Sequence, residues 1–328
     1  MNKVNSNIGT RNITLDILRV LACLGVILVH TAGGPIVHGW VKPGSIEYAM
    51  CTIMGAPLRW SPLFVMLTGF FMLNPQKELP LKKLYGKNVL HLIIAQIFWT
   101  FFYAATIHWH WYPFGGQDSH FWYIGMCIGL YISMPILRLI AANKKVLSYS
   151  CWIWLFIRCY YFVGKFVKIP IIFTDFVFTD FVGYCLVGWY LSQVKLKTWH
   201  KRLVYLAGIA ALVVNTVVSL VSSLHITANE DPTIICTSIA LFLFFIEHPI
   251  NPNNVSDRMK KVIFDMSKST FGIYMAHIFV LTELHSRVYR FIQQPILLTV
   301  VTVGATFVIS YGITWILRKI PFVGKWVV

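Results

Sequence analysis

The stretch Leu15-Asp16-Ile17-Leu18-Arg19-Val20-Leu21-Ala22-Cys23-Leu24-Gly25-Val26-Ile27-Leu28-Val29-His30 decides how the rest of the chain is read. It is apolar enough to cross a bilayer, yet it contains an arginine and a histidine. Ionisable groups are costly in hydrocarbon, so each is a functional-site candidate by default. The two are eleven residues apart. At ~100° per residue this is three turns plus ~20°, so both side chains share one helix face, roughly 16 Å apart along the axis. Arg19, Ala22, Cys23, Val26 and His30 form that face. Its small middle suits close helix packing or the bed of a thin substrate channel.

Outward from this stretch, composition says the same. The 328 residues are 57% hydrophobic and only 12% charged, with a mean hydropathy of +0.67, whereas a soluble domain carries about 25% charged residues. We therefore expect an all-α polytopic membrane protein, one membrane domain over 1–328 with no soluble catalytic domain attached. The net charge of +16 is read as the lysines and arginines that flank spans and set topology, not as a nucleic-acid surface. Seven scattered cysteines without a CxxC pair give no expectation of a disulfide framework or a metal site. The first apolar run shows no clear cleavage site and reads as an uncleaved span rather than a signal peptide.

About ten transmembrane helices are expected, at roughly 15–34, 46–73, 88–107, 120–140, 147–163, 174–193, 203–224, 232–247, 270–286 and 296–317. With that count, twenty lysines and arginines fall on the side of the termini and five on the other. The bias predicts both termini in the cytoplasm. Arg19 then lies near the inner face and His30 in the outer half. The aromatic cluster around Trp109, Trp111, Tyr112 and Phe114 reads as interfacial anchoring, and His108 and His110 with it. A short direct repeat, Phe173–Val177 and Phe178–Val182, turns its two aspartates to different faces.

The remaining polar groups inside spans are few. Arg19 reads as a donor-side cation, with a salt bridge to Asp16 as the structural alternative. His30 reads as a general base, because imidazole titrates near neutral pH. Pro57 and Pro62 bracket Arg59 and break the second span at mid-membrane, which requires a protein-lined or wet cavity. His120 and Trp122 open the fourth span and suit an acceptor pocket. Asp180 is a candidate to orient a catalytic imidazole, and Asp175 a candidate helix cap. His277 falls in the ninth span as a ligand or a packing group. No Walker, GxGxxG, HExxH or GxSxG motif occurs, so kinase, dinucleotide, zincin and serine-hydrolase readings have no support.

The order Asn12, Leu15-Asp16, Arg19, Ala22, His30 resembles the opening span of the membrane-bound acyltransferase-3 family. Pro62 to Gly69, His120 to Tyr123 with Gly129-Leu130-Tyr131 and Pro135 to Arg138, Gly183 to Leu191, and Ser269 to His277 resemble its later blocks in order. The compact form resembles surface-polysaccharide O-acetyltransferases without an attached soluble domain. The resemblance implies transfer of an acyl group, usually acetyl, from cytoplasmic acetyl-CoA to a hydroxyl of a cell-surface or lipid-linked glycan. It places the chain in a cell membrane, the bacterial cytoplasmic membrane by this likeness. The family's essential arginine and histidine map onto Arg19 and His30. Thr68 stands where the family usually has serine. Lys83 and Lys87 stand where it has paired arginines, and lysine still serves as a point charge for phosphate. Arg59, Thr68, His120, Trp122, Asp180 and His277 are the expected substrate-binding set, and Trp122, Arg59 or a backbone N–H the oxyanion donor. Two other readings stay open: a transporter or flippase of a small polar or glycan substrate, and a non-catalytic partner of a glycan synthase.

Overall fold

The computed structural model describes residues 11–56, 58–107, 120–167, 180–221 and 228–328. Pro57, His108, His110, the aromatic cluster from Trp109 to Phe114, Asp175 and the first half of the direct repeat lie outside the described residues.

Every regular element is helical. Helix α1 is Ile13–Val37, capped by the Asn12 side chain, which accepts from the amides of Thr14 and Leu15. Ser45 caps α2, Ile46–Gly55. Helix α3 is Ser61–Met72, with proline in its first turn, where a missing N–H costs nothing. The expected second span is thus two helices. The break carries Leu58, Arg59 and Trp60, as the proline pattern requires.

A one-turn helix α4, Leu81–Lys83, runs through a π turn at Leu84–Val89 into α5, Leu90–Ile107. Then come α6, Trp122–Ala142, α7, Lys144–Val167, and α8, Phe181–Gln193. The last five are α9, Thr198–Val221, α10, Pro232–Glu247, α11, Asp257–Tyr289, α12, Pro295–Lys319, and α13, Val323–Trp326.

Six helical stretches are long and apolar enough to cross a membrane: α1, Leu81–Thr106, α6, α7, α9 and α12; α3 and α10 are shorter apolar helices. The chain is a polytopic helical membrane protein. Helix α11 begins thirteen residues before the expected start of the ninth span. Its first turns carry Arg258, Lys260, Lys261 and Lys268, and so much charge reads as a loop. Ser256 caps the helix through its side chain. Asp265 on the same stretch pairs with Arg318 of α12 at 3.1 Å, and Arg318 also donates to Ser269 at 2.7 Å.

Two features fix the core around α1. Helices α3 and α8 approach backbone to backbone: a Cβ at Gly69 would collide with the Cys185 carbonyl, and one at Gly188 with the Met66 carbonyl. Small residues permit this approach, which replaces the hydrophobic driving force that lipid does not supply between helices. Trp60 packs onto α1 where Gly25 leaves room. Arg138 of α6 closes the end of α3 by donating to the carbonyls of Met72 (3.5 Å), Asn74 (2.7 Å) and Lys77. These are carbonyls that a helix end and its following turn otherwise leave to water.

Candidate active site

The N-terminal end of the α1 face is assembled from two helices. Asp16 is buried and takes two bonds from Arg11, at 2.5 and 3.0 Å, and one from the Ser267 hydroxyl of α11 at 2.6 Å. Arg19 stands 3.9 Å from the same carboxylate and donates to Ser267 at 3.4 Å. The salt bridge suggested by the three-residue spacing is therefore loose, and Arg11 is the close partner. Arg19 instead lines a cavity of about 400 Å³ with Phe64 and Thr68 of α3, Tyr123, Cys127 and Tyr131 of α6, and Lys268 and Tyr274 of α11.

Three imidazoles gather near the other end of this face. His30 and His277 have ring centroids 5.4 Å apart, and His277 and His120 are separated by the same distance. His277 is wholly buried and His120 nearly so, whereas His30 is exposed. Nδ1 of His277 lies against the Tyr274 carbonyl. A carbonyl only accepts, so that nitrogen carries the hydrogen and leaves Nε2 with a lone pair. Nε2 is buried without a partner among the described residues. His30 is the exposed member of the three, and its neighbour is a histidine, not a carboxylate. Tyr274, which lines the cavity, has its ring 5.3 Å from that of His277.

The other expected residues sort by helix register. Thr68 lines the cavity, its hydroxyl donating to the Phe64 carbonyl at 2.9 Å. Arg59 lies in the α2–α3 break, acts electrostatically on His30, and has its Nε buried without a hydrogen-bond partner among the described residues. Trp122 turns to α8 and packs on Phe181 at 5.3 Å. Its neighbour Tyr123, ~100° round the helix, faces the cavity instead, in line with Cys127 and Tyr131. Asp180 pairs with Arg158 at 2.5 Å, and its carbonyl accepts from Trp154 at 2.9 Å, so it holds Arg158 rather than a histidine. Lys83 and Lys87 are exposed and do not line the cavity; Lys268 does. Ser267, Lys268, Tyr123, Cys127, Tyr131 and Tyr274 were missed from the sequence. The four-residue spacing of Tyr123, Cys127 and Tyr131 was the available signal. No group of three His, Cys, Asp or Glu among the described residues is arranged to hold a metal ion.

Fold and site together define a multi-pass membrane protein with a cavity lined by Arg19 and Lys268 and a histidine cluster beside its Tyr274 wall. Residues 12–315 match the family model described as "Acyltransferase domain", that of the acyltransferase-3 family. The chain belongs to this family and is a membrane acyltransferase, a class that uses an acyl donor. No curated protein and no solved structure gives a match.

Proposed function

We propose that the chain is an O-acyltransferase that moves an acetyl group from cytoplasmic acetyl-CoA to a hydroxyl of a cell-surface or lipid-linked glycan. It sits in the bacterial cytoplasmic membrane with ten spans and both termini inside. The observation that carries this reading is the arrangement along α1. Arg19 and Tyr274 both line the cavity, the Tyr274 ring lies 5.3 Å from that of His277, and the His277 ring lies 5.4 Å from that of His30 on the helix that carries Arg19.

In this mechanism Arg19 and Lys268 hold the donor phosphates at the inner mouth, with Lys83 and Lys87 adding charge outside it. The acyl-pantetheine arm runs past Thr68 and Tyr123 toward His277. His30 takes the proton of the acceptor hydroxyl. The oxygen attacks the thioester carbonyl, the C–S bond breaks, and the proton passes from His30 to the leaving thiolate. The products are an ester and free coenzyme A. Arg59 stabilises charge on the carbonyl oxygen, and the His277 ring, packed against that of His30, restricts its orientation. His120, Trp122 and Asp180 shape the acceptor side.

The test is acetyl transfer from labelled acetyl-CoA by His30→Ala in isolated membranes. Loss of transfer with normal membrane insertion is expected. Wild-type turnover by the variant rules out the base role. A transporter would move its substrate across the same membranes without forming an acetyl ester.

A further inference from the structure

Tyr103 of α5 is 1% exposed and lines no part of the cavity. Its hydroxyl donates to the Met275 carbonyl at 2.8 Å and accepts from the Phe279 amide at 2.9 Å. In a regular α-helix the amide of one residue bonds to the carbonyl four residues earlier. Met275 and Phe279 are such a pair, so one hydroxyl from α5 bonds to both ends of a single rung of α11, which stays helical from Asp257 to Tyr289. His277 is the residue midway between them.

The buried phenol finds both a donor and an acceptor there, which its burial requires. Phenylalanine would fill the same volume and remove both bonds. The Tyr103 ring also lies 5.1 Å from that of His120, and the Tyr274 hydroxyl donates to the His120 carbonyl at 2.6 Å. The turn that carries His277 is thus held from α5 and from the start of α6, while α1 presents His30 to it.

We propose that Tyr103 is a positioning residue for acyl transfer: its hydroxyl pins the Met275–Phe279 turn of α11 so that His277 stays against His30. The proposal rests on His30 as base and His277 as its orienting partner.

The experiment compares wild type, Tyr103→Phe, His277→Gln and the double variant, each as the full chain in lipid nanodiscs. Small misplacements at a reacting centre are costly, so Tyr103→Phe is expected to lower kcat by about tenfold or more while the KM for acetyl-CoA stays within about twofold. In the His277→Gln background the same change should do nothing further; an equal loss in both backgrounds overturns the proposal. p-Aminophenylalanine at position 103, which restores a donor and a lone pair, should recover kcat. A purely structural role predicts no such recovery.

A second readout needs neither donor nor acceptor. Carbethoxylation of His30 by diethyl pyrocarbonate is followed against pH by peptide mass spectrometry. Tyr103→Phe and His277→Gln should move the His30 midpoint in the same direction, and an unmoved midpoint in Tyr103→Phe overturns the proposal. Wild-type protein that transfers no acetyl group refutes the acetyl-CoA reading, but its His30 titration still decides the role of Tyr103.

Discussion

His30 of α1 and His277 of α11 stand with ring centroids 5.4 Å apart, one exposed and the other wholly buried. On the proposed function the exposed imidazole meets substrate and the buried one holds it in orientation.

Unequal losses should follow. General-base catalysis contributes about 10²- to 10⁴-fold, so His30→Ala is expected to lose at least the lower of these, and His277→Gln less. The double variant should resemble His30→Ala alone, because a partner that works through His30 has nothing to act on once His30 is gone. Steady-state rates of the three variants check this. Independent, multiplying losses would refute it.

At the inner mouth, Arg19→Gln removes a charge without opening the Asp16 pair, since Arg11 and Ser267 hold that carboxylate. The expected outcome is a higher KM for acetyl-CoA with kcat little changed, the pattern of lost uniform binding. Titrating donor at saturating acceptor measures it, and an unchanged KM speaks against phosphate contact by Arg19.

The α3–α8 contact gives a stability prediction. Gly188→Val places side-chain atoms on the Met66 backbone, and overpacking of this kind costs about 1–3 kcal/mol or more. A lower thermal midpoint in detergent is expected. Ala at Gly86, where an added Cβ meets open space, should leave the midpoint near wild type.

Glu230, in the turn before α10, supplies a pH dependence. Burial pushes its carboxyl above the ordinary glutamate value, with the Asp180 and Asp231 carboxylates adding to the rise against Arg158. A raised folded-state pKa favours the protonated fold, so this contribution is full below the unfolded pKa and is lost as pH rises through the folded one. Glu230→Gln should therefore gain stability over wild type as pH climbs out of the carboxylate range and match it at lower pH. Melting curves across that range are the check, and parallel curves would contradict it.

Much of the fold was legible because hydrocarbon imposes a strict pattern: long apolar runs, charges at their ends, prolines only where a break is lined by protein. The break around Arg59 followed from these rules, and α1 begins two residues before the expected start at 15. Helix α11 was not fully legible, because its first three turns are amphipathic and charged, and a capped helix outside the bilayer looks like a basic loop. Register explains the site residues missed on α6. Trp122 drew attention by its indole, but a 3.6-residue period sends it to α8 and brings Tyr123 to the cavity. Arg19 and His30 were legible because each is expensive where it stands. The partnership of His30 with His277 was not, since nothing in a one-dimensional pattern says which span lies beside which.

The Arg11–Asp16 pair has an effect beyond anchoring the first turn of α1. By satisfying the nearest carboxylate from outside the helix, Arg11 leaves the guanidinium three residues on with most of its charge undischarged. On the proposed function this end of the cavity is a charge filter: a thioester bearing nucleotide phosphates would be drawn in, with capture weakened by rising ionic strength, and an uncharged thioester of the same acyl group would have no purchase on it. Donor identity would then be selected by electrostatics before any acyl carbon reaches the histidines.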